Sequence, residues 1–269
     1  MPFSDVERVI YNNNPLIEVI CQLRFPRILS INEFLPAAFQ DRIRGDYPLF
    51  NVAIEHQQQF TIDSIDTDTP PIPRVVQSEK INNYRFSSAD GFWHINLTGT
   101  FIALSTSKYS CWEDFLLRMK KPLAALLDIY KPAFYERIGL RYVDAFRRSK
   151  LKLDGVDWSE LIQPYALGFL SNLLVKNEVR SQNYTVEIDI GNKAIAQIKT
   201  TLGFVGSIGN SLPTSNHELS FIVDSDIFYM KKEISELNDS LEYLHNNSTK
   251  LIRAIITDRL HKAMGPEKI

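Results

Sequence analysis

Apolar and polar residues alternate from Pro15 to Phe25. Val19, Cys21, Leu23 and Phe25 fall on one face, and Glu18, Ile20, Gln22 and Arg24 on the other, which is the period of a half-buried strand. Pro26 stops it. Asn32 is placed to N-cap a helix whose stripe includes Phe34, Leu35, Phe39 and Ile43, with Pro36 in its opening turns and Gly45 and Pro48 at its end. Strand-like stretches follow at 50–65, 74–77, 84–87, 92–97 and 100–106, and the run DTDTPPIP inside 64–73 reads as a loop. Ser110 and Glu113 read as a capping box for a helix carrying Trp112, Phe115, Leu116, Met119, Leu123, Leu127 and Tyr130 on one stripe. Pro122 should kink or divide it.

The pattern then restarts. Pro132 to Tyr142 matches Pro15 to Phe25 in length, in its opening proline and in its Leu-Arg-aromatic ending, at an offset of 117 residues from Pro15 to Pro132. A second capped helix is expected at Asp157 and Glu160, with Leu161 and Ile162 on its buried side, then strands at 173–180, 184–190, 194–204 and 218–224. A terminal helix carries Leu237, Leu241, Leu244, Leu251 and Ile255 at helical spacing and ends at Gly265-Pro266. The expected fold is α+β in two similar halves, 1–131 and 132–269, packed as one unit. Each half reads strand, helix, antiparallel strands, long helix. That element order resembles the TATA-binding-protein or helix-grip architecture, a curved antiparallel sheet with helices on one face; whether the halves share one sheet stays open.

Composition narrows the classes. With 269 residues, 44% hydrophobic and 23% charged, the chain can bury a sizeable core. A formal net charge of -2 argues against a whole-surface nucleic-acid binder, though not against a local basic groove. Its first fifteen residues are polar and show no signal-peptide pattern, no run reaches the length of a membrane span, and Cys21 and Cys111 read as reduced thiols. A cytoplasmic location is expected.

Asn14 to Pro26, read NPLIEVICQLRFP, resembles the N-terminal signature of a sporadically distributed bacterial family with no settled activity. The resemblance continues at Arg137 to Tyr142, Leu244-His245 and Ile255 to Leu260. It implies architecture, a bacterial origin and an accessory, defence or regulatory gene setting, and it implies no catalytic residues.

Arg24 and Arg141 are the most informative polar residues, because each points away from an apolar strand face and a guanidinium suits phosphate or carboxylate. The plainer reading pairs each with a neighbouring acid such as Glu18 or Glu136. Glu18, Gln22, Arg137 and His94 share the candidate ligand-binding surface, His94 alternating onto one face with Phe92 and Asn96. A lone strand histidine is more often structural, and His245 reads as helix-edge packing. Asp63, Asp66, Asp68, Asp224 and Asp226 read as turn residues. Gly203, Gly206 and Gly209 read as a hairpin loop, since no helix follows to make a phosphate cradle. The basic stretch from Arg147 to Lys152 reads as a solvated loop. No cofactor and no metal site is expected.

The leading expectation is a non-enzymatic binding or regulatory module whose partner, a protein or an anionic ligand, lies across the polar sheet face near Arg24 and Arg141. The rivals are nucleic-acid binding through a concave sheet face and a hydrolase or nuclease with acids and His94 in a cleft. A dimer through the terminal helix is the further partner considered, and no membrane association is expected.

Overall fold

The structure, a computed structural model, describes residues 3–61, 74–172, 174, 176–204 and 218–268. The expected loop at 64–73, Asp63, Asp66, Asp68, Gly206, Gly209 and His217 lie outside the described residues. Nine strands form one antiparallel sheet, in the order β3-β4-β5-β6-β2-β7-β10-β9-β8. They are β2 (Leu16–Arg24), β3 (Leu49–Thr61), β4 (Arg74–Ser87), β5 (Trp93–Leu97), β6 (Phe101–Thr106), β7 (Tyr135–Phe146), β8 (Gln182–Gly191), β9 (Ala194–Phe204) and β10 (Leu219–Lys232). The two strands that share the Leu-Arg-aromatic ending, β2 and β7, lie side by side at the centre. A separate ladder joins β1 (Val9–Tyr11) to β11 (Pro266–Lys268), tying the first and last described segments together.

One sheet face is covered. Val19, Cys21, Leu23 and Phe25 are fully buried on it, as the alternation predicts, with Ile138, Leu140, Phe221, Val223 and Ile227 on the adjacent strands. Against them pack α3 (Trp112–Ile129) and α5 (Leu237–Ile255), with α2 (Ala37–Ile43) reaching the same core through Phe39 against Phe86, ring centroids 5.5 Å apart. Leu237, Leu241, Leu244, Leu251 and Ile255 are all buried. The apolar stripe of α5 is thus spent inside the chain. The exposed apolar side chains Leu49, Phe50, Val52 and Ile54 lie instead on the edge strand β3.

Several local expectations change. The helix expected after Asn32 is two short ones, α1 (Leu29–Glu33) and α2, because Pro36 cannot continue the first and instead caps the second. Phe34 and Leu35 fall in the break and are exposed. Cys111, with no side-chain cap bond, precedes α3, while Ser110 bonds Asp114 instead. Pro122 does not divide α3. The helix expected at Asp157 is a single 3-10 turn, Trp158–Glu160, although Asp157 does accept from the Ser159 amide and Leu161 and Ile162 are buried. A one-turn α4 (Pro164–Leu167) follows. The strand expected at 173–180 is not one: a 3-10 turn, Lys176–Glu178, lies there, and Leu174 is exposed. The terminal helix stops at Ile255, and Thr257 caps a second one, α6 (Asp258–Ala263), its hydroxyl accepting from the Leu260 amide. The stretches 74–77 and 84–87 are one strand, and β10 runs eight residues past Asp224.

Candidate functional site

Strand register decides which side chains meet on the uncovered face. Across β2 and β7, Ile20 faces Arg141, Gln22 faces Gly139 and Arg24 faces Arg137. Directly opposed residues share a face, so Glu18, Gln22, Arg24, Arg137 and Arg141 lie on the same surface. Ser105 of β6 faces Ile20 and His94 of β5 faces Ser105, which adds His94. Its Nδ1 is 2.8 Å from the Ser87 hydroxyl on β4. All six residues singled out by sequence therefore share the uncovered face.

The register also brings Asp224 and Asp226 there, opposite Val143 and Arg141 on β7. They are strand residues, not turn residues. Arg141 donates to both Asp224 oxygens, Nε at 2.7 Å and Nη2 at 2.6 Å, and those bonds hold its guanidinium more firmly charged than usual. Arg137 donates to Asp226 at 2.7 Å and lies over the Phe228 ring, 4.3 Å from its centroid. Acids of β10 take the place of the expected partners Glu18 and Glu136: Asp226 lies directly across from Arg141 and Asp224 one pair further along, while Glu18, across from Val143 on β2, adds to the field that keeps Arg141 charged without bonding it among the described residues. Arg24 has no ion-pair partner among the described residues and is exposed.

Arg137 takes a path that needs a glycine. A Cβ on Gly139 would sit 2.1 Å from Arg137 Nη1. Gly139→Ala should therefore keep the fold at a cost of about 1 kcal/mol and swing Arg137 off Asp226, since a flexible side-chain tip is the only obstacle. A crystal structure of the variant checks this: an unmoved guanidinium contradicts it. The basic stretch after β7 is partly structural, as Arg148 stacks over Trp158 at 4.8 Å and donates to the Val156 carbonyl at 2.8 Å.

The covered side of the sheet holds a second feature, a cavity of about 360 Å³. Its floor is Tyr142 and Asp144 of β7 with Ser225 of β10. Ser225 faces Tyr142 and is small where its neighbours on the same face, Val223 and Ile227, are branched apolar residues, so the floor dips there. A bulge at Ile17 shifts the ladder so that Leu16 pairs with Asp144 and joins the lining. His245, Ser248 and Ile252 of α5 form one wall, Tyr109 to Trp112 another, and the segment 6–11 lines a third side. That segment is held by Arg8 on Glu113 at 2.7 Å, Lys268 on Glu7 at 2.9 Å and the β1–β11 ladder.

Burial sets the chemistry inside. The His245 ring stacks on Trp112 with centroids 4.4 Å apart and planes 9° from parallel, and its Nδ1 is 2.9 Å from the Tyr142 hydroxyl. Its Nε2 is buried with no partner among the described residues. Desolvation lowers its pKa to about 4, so the ring is neutral at pH 7. Asp144 as a residue is 5% exposed, and burial raises its pKa to about 7. Desolvation is the sole cause, for no hydrogen bond or ion pair reaches Asp144 among the described residues. Tyr109 packs edge-on against Tyr142, ring centroids 5.9 Å apart, and burial pushes both phenols up. No three His, Cys, Asp or Glu side chains among the described residues cluster closely enough to hold a metal.

Sequence reasoning placed His245 at a helix edge and passed over Asp144. One signal was present: an acid at the position in β7 where the inward alternation Ile138, Leu140, Tyr142 calls for another apolar residue. A polar residue on the buried phase of a strand marks a site worth pursuing.

Compared with known protein families and with curated proteins, the chain matches no family model and no curated protein.

Proposed function

We propose that the chain is a non-enzymatic binding or regulatory module that holds a protein partner across the uncovered face of its nine-stranded sheet. The observation that carries this reading is the convergence of Glu18, Gln22, Arg24, Arg137, Arg141 and His94 on a face that none of the described helices covers. A protein fits that face better than a polyanion does. Arg137 and Arg141 are already neutralised by Asp226 and Asp224, and Glu187 and Asp189 on β8 face the same way as Lys199 on β9. A surface of mixed sign suits matched charges on a folded partner, whereas phosphate binding rests on an excess of free cations.

The two halves, 1–131 and 132–269, are on this reading a duplication packed around a pseudo-twofold between Gln22 and Gly139. Strand order supports it: outward from the centre, β2 is followed by β6, β5 and β4, and β7 by β10, β9 and β8, so in each half the last strand lies beside the first. Arg24 and Arg141 stand two residues either side of that axis on opposite strands. The resemblance of NPLIEVICQLRFP to a patchily distributed bacterial family supports an accessory, defence or regulatory setting.

The test is an Arg24→Gln, Arg141→Gln double variant. It should fold, since both side chains reach solvent, and its affinity for a partner purified on the wild-type chain should fall about tenfold or more. Undiminished binding by the double variant sinks the reading. Retention of duplex DNA at low salt that falls steeply as salt rises would favour the nucleic-acid alternative instead.

A further inference from the structure

Beyond the sheet face, the covered cavity has the makings of a small-molecule site. Its lining is mostly apolar and aromatic, with Val9, Leu16, Ile252 and Met264 beside Tyr11, Tyr109 and Trp112, and its size falls at the small end of ligand pockets. The charged side chains around it are paired among themselves. Arg8 holds Glu113, Lys268 holds Glu7, and Arg253 bonds Asp258 and, at 3.4 Å, the Ile256 carbonyl. His261 is engaged through Nδ1 with the Tyr11 hydroxyl at 2.8 Å. Asp144 stands outside this pairing. It is nine-tenths buried and lines the cavity, and among the described residues nothing donates to it. His245, on the facing helix, is bonded at Nδ1 to Tyr142, and its Nε2 has no partner among the described residues.

We propose that this cavity binds a small primary amine with an aromatic or alicyclic body, the ammonium pairing with Asp144 and the ring lying among Tyr11, Tyr109 and Trp112. The reasoning is one of satisfaction. A buried carboxylate with no partner is costly, and a cation with N–H donors relieves the cost more fully than a neutral group can. Aromatic rings add attraction for an ammonium and area for the hydrophobic body. An anionic ligand would meet Asp144 with like charge. A neutral apolar ligand would fill the space and leave the carboxyl unmet.

The experiment compares matched probes on the intact chain: benzylamine and tryptamine against benzyl alcohol and indole, at about pH 8, where Asp144 is ionised and the amines are protonated. Thermal shift and calorimetric titration give the readout. The amines should raise Tm saturably and bind about tenfold or more tighter than the neutral probes. The Asp144→Asn variant, nearly identical in shape, should lose that preference and bind the two classes alike; circular dichroism confirms that it is folded. Equal binding of amines and neutral probes to the wild-type chain overturns the proposal. So does an amine preference that survives Asp144→Asn, and so does a failure of either amine to bind. None of these outcomes bears on the sheet face, which the double arginine variant tests separately.

Discussion

Asp144→Asn should make the protein more stable at pH 8 than the wild type, with a gain that shrinks towards zero near pH 4. The Asp144 carboxyl has an ordinary value of 3.8 when exposed and rises to about 7 when folded, so between those values the folded state keeps a proton that the unfolded chain has released. Stability therefore falls as pH climbs from about 4 to 7 and levels off above. Three pH units correspond to about 4 kcal/mol, an upper figure that water reaching the cavity would reduce. Asparagine does not titrate and escapes the loss. His245 works in the opposite sense. Its pKa falls from 6.5 to about 4 on folding, so the unfolded chain takes up the proton first and stability drops as pH falls through that window. In the wild type the two slopes largely cancel between pH 4 and 6.5. In Asp144→Asn nothing in the cavity offsets the His245 slope, and acid should destabilise the variant more steeply. Urea unfolding of both proteins across this range measures the difference directly. A constant offset, or a gain that grows towards acid, would show that Asp144 is not held protonated by burial.

The central strands were legible because their apolar side chains recur with a period of two over the stretch that carries the arginines. Val19, Cys21 and Leu23 face in, Gln22 and Arg24 face out, and the same phase in Ile138, Leu140 and Arg141 puts the arginines on one surface. What the arginines touch was not legible. Asp224 and Asp226 lie more than eighty residues from them in sequence and carry turn chemistry in isolation; only the ladder between β7 and β10 makes them strand residues. Local propensity also failed around Pro36, Asp157 and Leu174, where short apolar segments lack the length to hold a helix or strand unaided. The cavity was hidden for a topological reason. Its walls come from the first segment, the turn before α3, three neighbouring strands and the last helices, so no window of sequence contains it. Only Asp144 betrayed it, as a charge on the apolar phase of a strand.

Trp112→Ala should be among the most damaging single changes in the chain, costing about 3–5 kcal/mol, and it should loosen the cavity as it does so. Trp112 is 2% exposed. It stacks on His245 on one side and on Phe115 on the other, the latter with centroids 5.9 Å apart and planes 11° from parallel, and its Nε1 donates to Glu242 at 3.1 Å. Trp112→Phe keeps a ring between those two and loses only the bond to Glu242, whose carboxylate can turn to water, so its cost should stay near 1–2 kcal/mol. The gap between the two variants measures packing apart from hydrogen bonding. A second consequence links the variant to Asp144. Removing the indole uncovers one face of His245 and enlarges the space that Asp144 borders, and water admitted there would hydrate both groups. The Asp144 pKa should then move back down and that of His245 back up. Adding Asp144→Asn to Trp112→Ala should accordingly yield a smaller gain at pH 8 than it yields in the wild type, by about 1 kcal/mol or more of non-additivity. Additive effects would mean that Trp112 seals His245 alone and that Asp144 is kept dry by the segment 6–11, an outcome that truncation of that segment would then have to reproduce.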